Sequence, residues 1–314
     1  EKPYPRPRSI GVTDVLIVAT AGLREEQLAD TYQRLYPRVD YLELANRVDA
    51  TVLDYSFYEK SRVGSYLCCM ETLLRSDVSL ALAGLLRSRR HKLVFTMSER
   101  AGIPLAGLRK VIPFRKPFIF MFTFWSERQR KAVGGFNLLS EADIIVTQNF
   151  SHAALLRDEL GVPADKIKTV PYSIDQQFFR PMPAEKTLDV LSVGEVRGRD
   201  YKTLIDAVAP LDVSVHVAAS GAWYARQRKP AFDLQVPPNV SVGGGYLPLQ
   251  MREQYARSRL VVVPTRRGVG AGTTVVLEAM AVGIPVIANR GGVAEEFAVD
   301  GETGILVEPE DPAV

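Results

Sequence analysis

The sequence contains very little cysteine. Its only two cysteines, Cys68 and Cys69, are adjacent in a segment with helical periodicity, where a bond between neighbours would be badly strained. We therefore expect no structural disulfide and a reducing compartment, which predicts a cytoplasmic protein.

Long hydrophobic runs are also missing. The longest apolar run, around PFIFMFTFW, is far shorter than the roughly 20 residues that a helix needs to cross a bilayer. The opening EKPYPRPRS has no apolar core of the kind found in signal peptides. Neither a spanning helix nor a signal sequence is predicted.

An excess of one charge sign is absent too. Lys and Arg number 39 against 36 Asp and Glu, which gives a formal net charge of +3. This balance argues against a nucleic-acid partner, whereas anionic small molecules and membrane surfaces remain compatible with it. No spacing of His, Cys or carboxylates is typical of a metal site, so none is predicted.

What the chain does contain is a regular alternation of short β-branched runs with helical spacing. From about residue 188 the strand-like runs are LDVLSVG, VSVHVAAS, NVSVGG, RLVVVPT, IPVIANR and GILVEP. The first half has DVLIVATAG, KLVFTMS, PFIFMFTF, ADIIVTQN and IKTVPYS as strands, with EEQLADTYQRLY, residues 62–90 and SHAALLRDEL as helices. Such alternation predicts an α/β fold with doubly wound parallel sheets.

A stretch rich in proline and polar residues, VPYSIDQQFFRPMPAEKT, separates the two halves. We expect an N-terminal Rossmann-like domain over residues 1–172, a linker over 173–186 and a C-terminal Rossmann-like domain over 187–314.

The segment VVVPTRRGVGAGTTVVLEAMA has the layout of an anion site at a helix N-terminus. Gly268, Gly270 and Gly272 let the backbone approach a ligand, and Thr273 or Thr274 is placed to cap the helix. A diphosphate would find free N–H donors and a favourable dipole there. The alternative is an ordinary capped helix with no ligand.

Glu278 lies one helical turn further along and is expected to face the same crevice. A carboxylate can accept hydrogen bonds from both hydroxyls of a ribose diol. The alternative is a solvated glutamate beside a buried Ala-Met-Ala face.

Several motifs resemble glycosyltransferases of family 4, the retaining enzymes with the two-domain glycosyltransferase-B (GT-B) fold. They include LEAMAVGIPVIANRGGVAEEFAVDGETGILVEPED, YLPLQMREQYARSRLVVVPT, LSVGEVRGRDYKTLIDA and the segment from LLSEADIIVTQN to QQFFRP. The resemblance covers roughly residues 90–314 and implies two Rossmann-like domains facing across a cleft.

The resemblance also implies roles for particular residues. Glu278 matches the second of two glutamates that the family separates by seven intervening residues, and it would hold the ribose. Gly270 takes the place of the first, which normally serves the transferred sugar. Glu295 matches the acid after the family's glycine pair, although its neighbour Glu296 or a plain surface role is an alternative.

In VGEVRGRDYKT the family places two basic residues that would neutralise a diphosphate. Arg199 fits the second position, Glu195 stands where an arginine is usual, and Arg197 is the candidate replacement. A solvated loop is the alternative for Arg199, and more so for Arg197 and Lys202.

Two further pairs border the same region. Gly291 and Gly292 either present N–H groups to the donor sugar or make a tight turn between strand and helix. Arg266 and Arg267 either reach phosphate or lie on the surface.

In the first domain Ser98, Glu99, Thr123 and Ser126 follow strands and are candidates to contact an acceptor, with helix capping the favoured role for Ser98 and Ser126. The three histidines are assigned to ordinary positions: His91 to a basic cluster, His152 to a helix start and His216 to a strand.

Two basic stretches, residues 87–92 and 109–116, lie beside apolar residues. Such clusters attract anionic lipid or form a solvated face. They leave open a peripheral contact with the inner face of the membrane through the N-terminal domain.

Taken together, the resemblance implies a retaining glycosyltransferase that moves a sugar from a nucleoside-diphosphate donor to a hydroxyl acceptor, without metal or cofactor. The donor's base and sugar and the acceptor are not assigned. Two alternatives share the fold: a nucleotide-sugar-binding protein that has lost transfer, and a nucleotide-sugar epimerase. Relatives continue with helices beyond the position of Val314, so a shortened or absent C-terminal end is also expected.

Overall fold

The computed structural model describes residues 13–22, 31, 33–56, 76–112, 116–123, 133–219, 234–267 and 271–312. Several positions discussed above lie outside these residues: Gly268, Gly270, Ser126, both cysteines, residues 62–75 and most of EEQLADTYQRLY. The side chain of Arg197 is also outside the described part of the structure. The chain divides into two units, Glu1–Tyr32 with Arg38–Pro171 and Gln33–Pro37 with Tyr172–Val314.

The N-terminal unit is built on a six-stranded sheet in which all neighbouring strands are parallel, in the order β2-β1-β3-β4-β5-β6. Its strands are β1 (Val15–Val18), β2 (Thr51–Leu53), β3 (Leu93–Thr96), β4 (Phe118–Phe122), β5 (Ile144–Thr147) and β6 (Ile167–Thr169). Its helices are α1 (Asp40–Val48), α2 (Val78–Ser88), α3 (Glu99–Val111) and α4 (Phe150–Asp158).

Alternating side chains of β1 show why both faces of this sheet are covered. Leu16 and Val18 join a core with residues of α2 and α3. Ile17, between them, packs in a separate cluster with Tyr41 and Leu42 of α1. Burial on both faces explains why the strand reads as a continuous apolar run.

The C-terminal unit holds a second six-stranded parallel sheet, in the order β12-β11-β10-β7-β8-β9. Its strands are β7 (Leu188–Val193), β8 (Val215–Ala218), β9 (Val240–Gly243), β10 (Ser258–Val263), β11 (Val286–Asn289) and β12 (Ile305–Val307). Its helices are α5 (Tyr201–Val208), α6 (Pro248–Arg257) and α7 (Thr273–Val282).

The strand order fixes where a ligand crevice can open in this second sheet. The chain runs from β7 outward through β8 to β9, then crosses to β10 on the other side of β7. The connections after β7 and β10 therefore leave the sheet in opposite directions. Ligands of doubly wound sheets bind at the carboxyl ends of strands at such a switch point.

The predicted pair of Rossmann-like, doubly wound domains is confirmed, and so are all eleven strands predicted from the sequence. Strand β2 and helices α1 and α3 were not predicted from the sequence. Residues 173–186, the predicted linker, contain no helix or strand. Phe178 and Phe179 in this stretch are nevertheless buried in the core of the C-terminal unit, so the stretch packs on that domain.

In the described part of the chain no helix is both long and apolar enough to cross a membrane.

Candidate nucleotide-binding site

The loops that follow β7 and β10 are joined to each other at the switch point. The backbone N–H of Asp200 donates to the carbonyl of Pro264 at 2.8 Å, and Arg199 forms an antiparallel bridge with Thr265. Nε of Arg266 donates to the carbonyl of Arg199 at 3.3 Å. These contacts make one platform from two loops that are distant in sequence.

Arg199 is held inside this platform. Its side chain is buried, with 5% of the residue exposed, and its Nε donates to the carbonyl of Val193 at 3.0 Å. A Cβ atom at Gly194 would lie 2.5 Å from that Nε, and Gly194 has φ +145, so the close approach requires glycine. The neighbouring carbonyl of Gly194 accepts from the hydroxyl of Tyr201 at 2.9 Å.

The guanidinium of Arg199 has no carboxylate partner among the residues that the structure describes. Burial lowers the pKa of Arg199 from its ordinary value, and nearby Tyr201 and Tyr255 oppose that shift. Arginine starts so high that it stays protonated at neutral pH. A buried cation without a counter-ion is costly, and an arriving anion would remove that cost.

The N-terminus of α7 lies beside this cation. Gly272 is the N-cap, with φ +107 and no side-chain hydrogen bond to the helix. A Cβ atom there would lie 2.9 Å from Cγ1 of Val263 and 3.8 Å from Nη1 of Arg199. The positive end of the helix dipole and a buried guanidinium are thus adjacent, and both favour a negative ligand.

The prediction that Thr273 or Thr274 caps α7 is wrong. Because the left-handed Gly272 is the N-cap, both threonines lie within the first helical turn. The hydroxyl of Thr274 instead donates to the hydroxyl oxygen of Tyr172 at 3.3 Å. Among the residues that the structure describes, no side chain caps the N–H groups of this first turn.

Glu278 is buried, with 3% of the residue exposed, so the alternative of a solvated glutamate is wrong. Its Oε2 accepts a hydrogen bond from the hydroxyl of Tyr255 on α6 at 2.7 Å. Within the described residues, Oε1 has no hydrogen-bond partner. The sequence suggested that both oxygens serve a ligand, whereas the structure already engages one of them with the protein.

Burial also controls the ionisation of this pair. Removal from water raises the pKa of Glu278 to about 8, against a smaller lowering by the Tyr255 hydrogen bond. The pKa of Tyr255 is raised well above its ordinary value, first by burial and then by the charge of Glu278. Tyr255 therefore stays a donor and Glu278 the acceptor. Tyr255 was not found by sequence reasoning, because it lies 23 residues before its partner on a different helix.

The turn after β11 is stabilised by a hydrogen bond between two of its own residues. The N–H of Gly291 donates to Oε2 of Glu295 at 2.7 Å, and Gly291 has φ +71. This contact favours the tight-turn alternative for Gly291, because the N–H is already engaged. Gly292 precedes the 3-10 turn Val293–Glu296 in an extended conformation.

Asn289, which sequence reasoning did not single out, connects the ends of β10 and β11. Its Oδ1 accepts from the N–H of Thr265 at 2.6 Å, and its Nδ2 donates to the carbonyl of Glu308 at 3.4 Å. The residue is buried. It fixes the carboxyl ends of these neighbouring strands beside Arg199.

The remaining charged candidates, Lys202, Arg267 and Glu195, are exposed to solvent. Lys202 is exposed and pairs with Asp206 at 2.5 Å, so it is solvated as the alternative expects, but it lies in the first turn of α5 and not on a loop. Nε of Arg267 lies 4.0 Å from a carboxylate oxygen of Glu310, in an exposed pair. Glu195 is exposed on the loop after β7.

In the N-terminal unit, the capping role of Ser98 is confirmed, because its hydroxyl accepts from the N–H of Arg100 at 3.0 Å. Glu99 begins α3 and Thr123 follows β4 directly. His152 lies in the first turn of α4 and His216 in β8, as expected. His91 follows α2 and is buried, with Nδ1 2.7 Å from the carbonyl oxygen of Thr13.

In the described part of the chain, no three His, Cys, Asp or Glu side chains lie close enough together to bind a metal ion.

Residues 173–314 match the family model described as glycosyl transferases group 1. The match contains the platform of the two loops, and also the N-terminus of α7, Glu278 and its partner Tyr255.

Curated proteins similar to this chain are also named as glycosyltransferases. A D-inositol 3-phosphate glycosyltransferase from Acidothermus cellulolyticus is 27% identical over 242 residues, covering 69% of this chain and 53% of that protein. A GDP-mannose-dependent alpha-(1-6)-phosphatidylinositol monomannoside mannosyltransferase from Mycobacterium tuberculosis is 29% identical over 168 residues, covering 46% of this chain and 44% of that protein. The chain thus spans about half the length of the curated relatives it matches.

A solved structure extends the likeness to both domains. The crystal structure of Anabaena HepE in complex with UDP-glucose is similar with a TM-score of 0.64, at 16% identity, and the match covers 95% of this chain and 86% of that one. At this identity the likeness concerns the fold, two Rossmann-like domains.

Proposed function

We propose that the protein is a retaining glycosyltransferase of the family 4 type, which transfers a sugar from a nucleoside-diphosphate donor to a hydroxyl acceptor. The single observation that supports this proposal most is the environment of Arg199. Its guanidinium is buried, has no carboxylate partner in the described structure and lies beside the uncapped N-terminus of α7. A diphosphate supplies the negative charge that this arrangement lacks.

The positive charge of Arg199 and of the α7 N-terminus would also promote transfer. As the bond between the sugar's anomeric carbon and the phosphate oxygen breaks, its electron pair goes to the diphosphate. Arg199 and the α7 dipole are fixed in place before the reaction, so they can stabilise that charge without reorganising. They are expected to bind the leaving group more strongly as it departs, which is the requirement for catalysis.

In this proposal the acceptor oxygen bonds to the anomeric carbon on the face that the diphosphate leaves. The acceptor's proton passes to the departing phosphate oxygen, so the step needs no protein nucleophile. The protein's contribution is to position the reactants and stabilise charge. A fixed guanidinium does the neutralising, so we propose transfer without a metal ion.

Glu278 is proposed to hold the donor's ribose through Oε1, while Tyr255 holds Oε2 in place. A ribose hydroxyl that donates to Oε1 stabilises the ionised carboxylate, because hydrogen bonding to the charged form lowers a carboxyl pKa. Donor binding is therefore expected to favour ionisation of a group whose pKa is about 8 in the free protein.

The names of the relatives suggest where to look for substrates. One relative is named for GDP-mannose and phosphatidylinositol mannoside, and another for inositol 3-phosphate. The similar solved structure contains UDP-glucose. We propose UDP- and GDP-hexoses as the first donors to test, with inositol phosphates among the acceptors.

The direct test is turnover of these donors with a panel of hydroxyl acceptors, in the presence of a metal chelator. Arg199→Met and Glu278→Gln should each lower turnover at least tenfold, whereas Lys202→Gln, an exposed control in the first turn of the adjacent α5, should not. Full activity in both site variants would remove the proposed site. Activity that appears only when a divalent metal is added would contradict metal independence.

A second candidate is a protein that binds the nucleotide sugar without transferring it. The exposed Glu195 favours this candidate, since the family resemblance implies an arginine at that position. It predicts binding of UDP or GDP that depends on Arg199, without turnover for any acceptor. Turnover that Arg199→Met abolishes would exclude it.

A further inference from the structure

The amino-terminal edge of the first sheet brings the ends of α2 and α3 together. Helix α2 leads into β3 and helix α3 leads into β4, and these strands are neighbours. The N–H of Val94 donates to the carbonyl of Pro117 at 3.0 Å, which fixes both strand starts side by side. The residues just before β3 and β4 therefore share one edge of the domain.

Five exposed residues at this edge form what we call the basic edge: Leu86, Arg89, Arg90, Lys110 and Val111. Leu86 is in the last turn of α2, and Val111 is the last residue of α3. They are 58% and 81% exposed, respectively. A single exposed leucine or valine is ordinary, but here each sits within three residues of a cation.

The acids of the same edge are engaged with other cations. Asp14 pairs with Lys92 at 2.9 Å. Asp143 pairs with Arg109 at 3.3 Å and also accepts from the N–H of Phe118. Across the described residues, the three cations of the basic edge have no acidic partner. The edge therefore presents uncompensated positive charge.

Stabilisation of helix C-termini accounts for only part of this pattern. Cations in a last turn complement the negative end of a helix dipole, and Lys110 is placed for that. Arg89 and Arg90 lie beyond the last residue of α2, Ser88. The helix dipoles also do not explain why the apolar side chains of Leu86 and Val111 are exposed to solvent. Apolar side chains beside unpaired cations fit a surface that offers both anionic headgroups and hydrocarbon.

We propose that the basic edge docks reversibly on an anionic phospholipid bilayer, with the cations at the headgroups and Leu86 and Val111 entering the acyl boundary. Charge complementarity selects the occupant, and the apolar pair distinguishes a bilayer from a soluble polyanion. This binding is separate from the proposed sugar transfer, since none of these residues belongs to the platform around Arg199.

The size of the effect follows from the number of cations. Each lysine or arginine near an anionic surface strengthens binding about fivefold at physiological salt. Replacing Arg89 and Arg90 together should weaken binding about 25-fold, and a high salt concentration should do the same by screening.

The experiment is co-sedimentation of the protein with vesicles of phosphatidylcholine alone or mixed with phosphatidylglycerol. Three double variants accompany the wild-type protein: Arg89→Gln with Arg90→Gln, Leu86→Ser with Val111→Ser, and a control pair. The control is Lys168→Gln with Arg180→Gln, which removes the same charge from exposed positions elsewhere. All of these positions are exposed, and the melting temperature of each variant checks that it is folded.

We expect binding to the anionic vesicles only, with both basic-edge variants at least several-fold weaker and the control unchanged. No binding to anionic vesicles, or an equal loss in the control, would overturn the proposal. Loss in the arginine variant alone, with full binding by the serine variant, would identify a site for polyanions and overturn the membrane proposal. Sugar transfer to a soluble acceptor is measured in parallel, and its failure leaves the vesicle result unaffected.

Discussion

Replacing Glu278 with glutamine should stabilise the protein at neutral and alkaline pH. The carboxyl group is buried, which raises its pKa from 4.5 to about 8. In the unfolded chain it ionises near the ordinary value, whereas in the native state it keeps its proton until about pH 8. Glutamine cannot ionise, yet its carbonyl oxygen can still accept the hydrogen bond from Tyr255.

The sign and size follow from proton linkage. Because the native pKa is raised, the stability due to this group is fully present below pH 4.5 and is lost as the pH rises to about 8. Each pH unit in that window costs about 1.36 kcal/mol. The wild-type free energy of unfolding should therefore fall, relative to the glutamine variant, by about 3 kcal/mol at pH 7 and about 4 kcal/mol at pH 8.

The assay is urea unfolding of both proteins at several pH values between 4.5 and 9. Glu302→Gln is the control, since Glu302 is exposed in the same domain. The Glu278→Gln difference should grow with pH across the window and then level off, while Glu302→Gln stays flat. A constant difference at all pH values, or a glutamine variant that is less stable at pH 8, would refute the burial argument.

Three further changes test the surroundings of the site. Tyr255→Phe removes the hydrogen-bond donor to the buried carboxyl group of Glu278, so we expect a loss of about 1–3 kcal/mol in unfolding experiments. The pKa of Glu278 should also rise, which would shift the nucleotide-binding profile to higher pH. Gly272→Ala places a Cβ 2.9 Å from Cγ1 of Val263 at φ +107, which should cost about 2–4 kcal/mol and weaken diphosphate binding. Gly301→Ala, at φ +76 with open space around it, should cost only about 1 kcal/mol and leave binding intact. Equal losses for the two glycine variants would contradict the role given to the close packing at Gly272.

Much of the fold could be predicted because parallel strands buried on both faces are apolar runs. Strand β2 was not predicted because it is only three residues long, Thr51–Leu53, which is too short to show a clear hydrophobic pattern. Helix α3 carries Pro104 in its interior and a low apolar periodicity, both of which weaken a helical pattern.

The site was harder to predict because its properties depend on contacts that are distant in sequence. Glu278 was found from its place after a glycine turn, but its burial and its bond to Tyr255 depend on how α6 packs on α7. The threonine caps failed because Gly272 adopts a left-handed conformation, which moves the helix start by one residue. Burial of Arg199 depends on the approach of Gly194 and Gly272, and spacing along the chain does not reveal it.

The proposed function depends on Arg199 being a buried cation whose charge a bound diphosphate neutralises. Its most direct test is calorimetric titration of UDP, GDP and the corresponding nucleosides into the wild-type protein, Arg199→Met and the exposed control Arg259→Met. We predict that the wild type and the control bind at least one diphosphate far more tightly than its nucleoside, and that Arg199→Met loses most of this preference while remaining folded. Unchanged diphosphate affinity in a folded Arg199→Met variant would contradict the claim.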